Sequence, residues 1–236
     1  FLTIFFLIFY LTFIGYKVIS NQNVALENVT LILSNSFIFY GVGYSLLDNR
    51  AGFENYLGLF TVANAAIHFV FAVTISRLKL FPTDLVYLLT VLIITFATIS
   101  IPVQLDGNFV TLVWTAEAAI LLWIGRTKLI PLYQYYSFPL MFLALFSLLH
   151  DWVLIEERRG LDQILAGQYP LVNGNFVTGL LFAAAFGFIF YINRDERYEA
   201  AVDEALRKPF GYVVAGIGLA VFYNCFRLEI ANYFHY

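Results

Sequence analysis

Charge is the scarcest commodity in this chain. Of 236 residues only 12% are Asp, Glu, Lys or Arg, against 61% hydrophobic. Ordinary soluble domains carry about 25% charged residues, so a free-standing soluble domain is excluded by composition. A formal charge of -3 with no basic stripe excludes a nucleic-acid partner. One cysteine, Cys225, excludes an internal disulfide and a cysteine metal cluster. Three histidines without an HExxH or comparable spacing give no metal and no cofactor to expect. The only methionine is Met141, and Phe1 already lies inside an apolar run. Neither the basic region nor the small-residue cleavage site of a signal peptide is present. The expectation from this start is an internal piece of a longer chain.

What the chain does have is apolar length. Mean hydropathy is +0.79, and aromatics reach 19%, with 26 Phe and 16 Tyr. About 20 apolar residues cross a bilayer as a helix. Windows of that kind fall near 1–19, 29–47, 56–76, 84–101, 109–125, 130–155, 176–192 and 210–233. They are too long, and too poorly alternating, for barrel strands. The expected fold is therefore all-α, one transmembrane bundle of about eight spans, with the lipid bilayer as its partner. Further transmembrane helices, of the same protein or of a partner subunit, would complete it. Pro139 should kink the sixth span. EERRGLDQILAGQYPLVNGN (156–175) reads as a polar connection, and NRDERYEAAVDEALRK (193–208) as a short charged helix.

Basic residues set an orientation. Nine of the 13 lie at the ends of odd-numbered spans, among them Arg77, Arg126, Lys128, Arg194, Arg207 and Lys208. The positive-inside rule then places those ends in the cytoplasm. The Asp106 turn and the 156–175 connection face outward.

Polar residues inside the spans are the candidate sites. Glu117 follows Trp114 by three residues, so the two share a helix face. A carboxylate at membrane depth costs roughly 2.5–3.5 kcal/mol on insertion scales and marks either a functional site or a structural hydrogen bond. His68 follows Asn64 by four, giving either a polar path together with Glu117 or a satisfied core histidine. Asp106 with Gly107 reads as a tight turn, with Asp106 able to cap the fifth helix, or as an outer substrate contact. His150 and Asp151 form an acid–base candidate or an interfacial cluster beside Trp152. Arg158 and Arg159 make the outer connection a candidate anion or glycan lid, or a solvated loop. Arg227 and Glu229 are explained by snorkelling.

Residues 101–128 carry a pattern, with Pro102, Leu105, Asp106, Gly107, Phe109, Trp114, Glu117, Trp123 and Gly125 in register. It resembles the segment P-x-x-L-D-G-x-W/F-x-x-x-x-W-x-x-E, followed by W-x-G, of the bacterial predicted-membrane-protein family described as domain of unknown function 2339. YPLVNGNFVTGLLF (169–182) is similar to a second lead-in of that family. The resemblance implies a polytopic inner-membrane protein and brings no activity with it. Family members are usually several times longer than this chain. Three roles follow from the residues: a transport-like component, an envelope-assembly component, or a membrane-embedded enzyme acting on envelope lipid or glycan.

Overall fold

The computed structural model describes residues 1–20, 26–78, 83–160, 173–198 and 204–235. Among them are eight α-helices: α1 (Leu2–Ser20), α2 (Leu26–Asp48), α3 (Leu57–Leu78), α4 (Thr83–Gln104), α5 (Asn108–Thr127), α6 (Pro131–Gly160), α7 (Gly174–Arg194) and α8 (Glu204–His235). The described residues contain no strand. Among the described residues seven of the helices have stretches long and apolar enough to cross a membrane, and α1 contributes a further apolar stretch, Leu2–Phe13. The chain is a multi-pass membrane protein. In lipid every backbone N–H and C=O must be satisfied within the segment, which is why such runs become helices.

Contacts gather into two compact units, Phe1–Gln104 and Leu105–Tyr236. In the first, α3 packs closely along α4, with α1 on α2 and α2 on α3. Its core holds Phe6, Tyr10, Ile32, Phe39, Leu85, Leu89, Leu92 and Phe96. In the second, α5 packs on α6 and α7, and α7 on α8. That core is built from Ala118, Leu122, Ala144, Leu148, Phe182, Phe186, Ile189, Val214 and Val221. Lipid tails are as apolar as these side chains, so close packing rather than escape from water holds the helices together. Gly179 shows the means, since a Cβ there would fall on Cys225 Sγ. Only glycine lets α7 approach α8 so closely.

Several boundaries differ from the hydropathy windows. Pro102 does not open a turn; it sits inside the last turn of α4. The turn comes at Leu105–Gly107, where Gly107 adopts a positive φ of 53° and occupies the N-cap of α5. Asp106 therefore lies one residue too early to cap; it is exposed, and α5 has no side-chain cap bond. α6 runs on through residues 156–160, so the first part of the expected polar connection is helical, while 161–172 lie outside the described residues. Pro139 lies inside α6, which continues on both sides of it. Of the expected charged helix, Asp195–Tyr198 form a turn and Glu204 already begins α8.

The α5–α6 corner is tied by backbone geometry. Ile130 N–H donates to Gly125 O at 2.9 Å and Lys128 N–H to Ile124 O at 2.8 Å. Leu129 sits between them with φ 56°. The Ile130 bond is the 6→1 closure of a Schellman-type ending, with leucine where glycine is usual, and the Lys128 bond is the last ordinary helical one. The buried Gln134 side chain adds a bond from Nε2 to the same Gly125 O at 3.2 Å.

Candidate functional site

The first unit encloses a polar centre in an aromatic cage. His68 is fully buried and Asn64 is 1% exposed. They stand one turn apart on α3, and His68 Nδ1 lies 2.7 Å from the Asn64 backbone oxygen. A carbonyl only accepts, so Nδ1 carries a proton. Nε2 lies 2.9 Å from Ser36 Oγ on α2, and Ser36 Oγ lies 2.8 Å from Ile32 O. Tyr10 of α1 brings its hydroxyl to 3.5 Å from Ser36 Oγ. Around the imidazole stand Phe96, Tyr10 and Phe6, with ring centroids at 5.3, 5.6 and 6.1 Å. Asn64 Oδ1 and Nδ2 are buried without a hydrogen-bond partner.

Proton accounting makes this centre two-sided. A neutral ring protonated at Nδ1 needs Ser36 to donate to Nε2, which takes the hydroxyl proton from Ile32 O. A protonated ring donates from both nitrogens and leaves Ser36 free to donate to Ile32 O, so every contact is satisfied. Against that stands the cost of a charge away from water.

The second unit holds three polar clusters. Near the α5 start, Thr111 Oγ1 donates to Ser147 Oγ at 2.8 Å and approaches Asp151 Oδ2 at 3.4 Å. His150 Nδ1 stands 3.9 Å from Asp151 Oδ1, with 60% of the His150 side chain exposed. That is an ion-pair distance but beyond hydrogen-bond reach. At the same end, Asn173 caps α7 by accepting from Phe176 N–H at 2.8 Å. Its Nδ2 donates to both Glu229 oxygens, at 3.0 and 2.9 Å. Glu229 is 6% exposed, so it does not snorkel; it is a buried anchor between α7 and α8. Arg227 is exposed, its Nε bonding Asn224 Oδ1 at 2.7 Å.

At the opposite end, Arg126 is fully buried. Its Nη2 donates to Asp195 O at 2.6 Å, while Nε and Nη1 have no hydrogen-bond partner. The Asp195 carboxylate is taken by Arg197, at 2.6 Å from Nη2. Those hydrogen bonds hold the Asp195 carboxyl well below its ordinary range, at about 2, and raise the Arg197 guanidinium correspondingly.

Of the residues singled out by sequence, Asn64 and His68 are brought together in the first unit. Trp114 and Glu117 lie on α5 in the second, both half-buried, with Trp114 against the core. The side chains of Arg158 and Arg159 lie outside the described residues. Among the described residues no group of three His, Cys, Asp or Glu is placed to hold a metal. Sequence reasoning missed Ser36 and Tyr10, which carry no spacing signal toward His68. It read Arg126 as a basic stop and Asn173 as loop.

Fold and sites together define a multi-pass helical membrane protein. No protein-family model, no curated protein and no solved structure matches the chain.

Proposed function

We propose that this is a transport-like component of a bacterial inner membrane, and that proton uptake and release at His68 is its working step. The observation that supports this is the hydrogen-bond accounting at Ser36, where one hydroxyl proton serves two acceptors unless the ring is charged. The orphaned Asn64 amide beside it can meet a polar guest such as water or a small cation. The resemblance at residues 101–128 supports the inner membrane as location, and the basic residues support odd-numbered helices ending in the cytoplasm.

With His150→Gln and His235→Gln in place, His68 is the only imidazole, and its nitrogen-15 resonances report both tautomer and charge. The expected result is pH-dependent exchange between an Nδ1–H neutral ring and a doubly protonated one, with proton flux into proteoliposomes lost in His68→Gln. A single protonation state throughout, with flux unchanged in His68→Gln, refutes the proposal and leaves an envelope-assembly role. An enzyme reading would draw on His150 and Asp151, which lack a hydrogen bond between them. Orientation is tested in a Cys225→Ala background: an impermeant maleimide should reach Asp106→Cys from outside, and Lys128→Cys only after lysis. The reverse pattern inverts the topology.

A further inference from the structure

Between α7 and α8 lie two adjoining concavities of opposite character. One, of about 190 Å³, lies at the end where α7 stops and α8 begins, with Arg194, Glu196, Arg207 and Lys208 in its lining. The other, of about 430 Å³, is an open and almost wholly apolar groove along the same two helices. Its floor is made of small residues, Ala183, Ala184 and Gly187 of α7 with Ala215 and Gly218 of α8. Phe190 lines both, so the polar cavity continues into the groove.

We propose that this paired site holds an anionic phospholipid, its phosphate on Arg207, Lys208 and Arg194 and one acyl chain along the Ala184–Gly187 groove. Charge is the first argument. Arg194, Arg207 and Lys208 outnumber Glu196 in the lining. Behind it, the buried Arg126 guanidinium lies within electrostatic reach of Arg207, while the Asp195 carboxylate is occupied by Arg197. Guanidinium and ammonium groups are the usual partners of phosphate oxygens.

Shape is the second argument. A Cβ built on Gly187 meets nothing within 4 Å, so the groove is open on its α7 side, while one on Gly218 would meet Phe186 Cβ at 3.3 Å, where α8 closes against α7. An apolar channel with a cationic mouth matches a molecule with an anionic head and a hydrocarbon tail; a free phosphate would leave the groove unused. The mouth is held in shape by Asn193 Nδ2, which donates to Arg207 O at 3.0 Å and joins the α7 end to the α8 start.

The test is native mass spectrometry of the intact chain after incubation in mixed micelles of phosphatidylglycerol and phosphatidylcholine in equal amounts. Phosphatidylglycerol should be retained preferentially. Each basic residue near an anionic headgroup is worth about fivefold in binding, so Arg207→Gln with Lys208→Gln should cut the preference by about 25-fold. Gly187→Leu fills the groove without touching the cations and should abolish retention of both lipids at unchanged helicity; should it fold poorly, the exposed Ala184→Leu serves the same purpose. Equal retention of the two lipids overturns the proposal. So does undiminished retention in the groove-filled variants, which would reduce the effect to surface charge. Displacement of the lipid by millimolar inorganic phosphate would make the cavity a free-phosphate site, and the lipid assignment would fail.

Discussion

Asn173 joins two jobs in one side chain, and replacing it separates them. Its Oδ1 caps α7 through Phe176 N–H, and its Nδ2 holds the buried Glu229 carboxylate of α8. Loss of a helix N-cap costs about 1 kcal/mol. A hydrogen bond to a charged group is worth about 1.5–3 kcal/mol. Asn173→Ala should therefore destabilise by about 2.5–4 kcal/mol. Asn173→Ser keeps a capping oxygen but cannot reach Glu229 with a donor, so it should recover about 1 kcal/mol of that loss. Replacing Glu229 by Leu in the Asn173→Ala background removes a carboxyl that has lost its two bonds to Asn173 and should recover part of the loss, because a buried polar contact left unmade costs free energy. Reversible unfolding in mixed detergent–lipid micelles, followed by helicity, measures all three. If Asn173→Ala lies within about 0.5 kcal/mol of the parent, the ordinary scatter of surface substitutions, the bond to Glu229 carries no weight. If Asn173→Ser is as damaging as Asn173→Ala, the division between cap and carboxylate is wrong.

Two further predictions rest on local geometry. Leu129 holds a left-handed backbone at the α5 end with its side chain 56% exposed. Leu129→Gly should therefore stabilise by about 0.5–1 kcal/mol, the steric relief less the extra freedom of glycine in the unfolded chain; destabilisation in the same unfolding assay would refute this. The Asp195 carboxyl is depressed from 3.8 to about 2 by its hydrogen bonds to Arg197. A depressed acid contributes its stability above the unfolded value, so the turn should keep its full contribution above 3.8 and lose it as pH falls toward about 2. The carboxyl carbon-13 shift should follow that course, and Arg197→Ala should return the titration to the ordinary range; a midpoint unmoved by the substitution would show that Arg197 is not the cause.

The sequence alone determined the all-helical membrane fold, because runs of Phe, Leu, Val and Ile with 12% charge have no other way to satisfy their backbone in lipid. It also determined that Asn64 and His68 share a face of α3, since local spacing is a property of one helix. Boundaries were less legible. Pro102 looks like a break, yet α4 passes through it, because packing on neighbours supports a backbone that propensity alone would interrupt; Pro139 lies inside α6, as its place within the sixth span implies. Asp106 looked like a cap and is not one, because Gly107 alone takes the positive φ that turns the chain into α5. What only the tertiary structure decided is which helices meet. Ser36 and Tyr10 come to His68 from α2 and α1, and Glu229 comes to Asn173 across 56 positions. The groove of α7 and α8 depends on two stretches of small residues facing each other. In lipid, apolar faces are nearly interchangeable, so a hydropathy pattern gives the spans but not the partners. Those follow from small residues and buried hydrogen bonds, which show themselves only when the chain is folded.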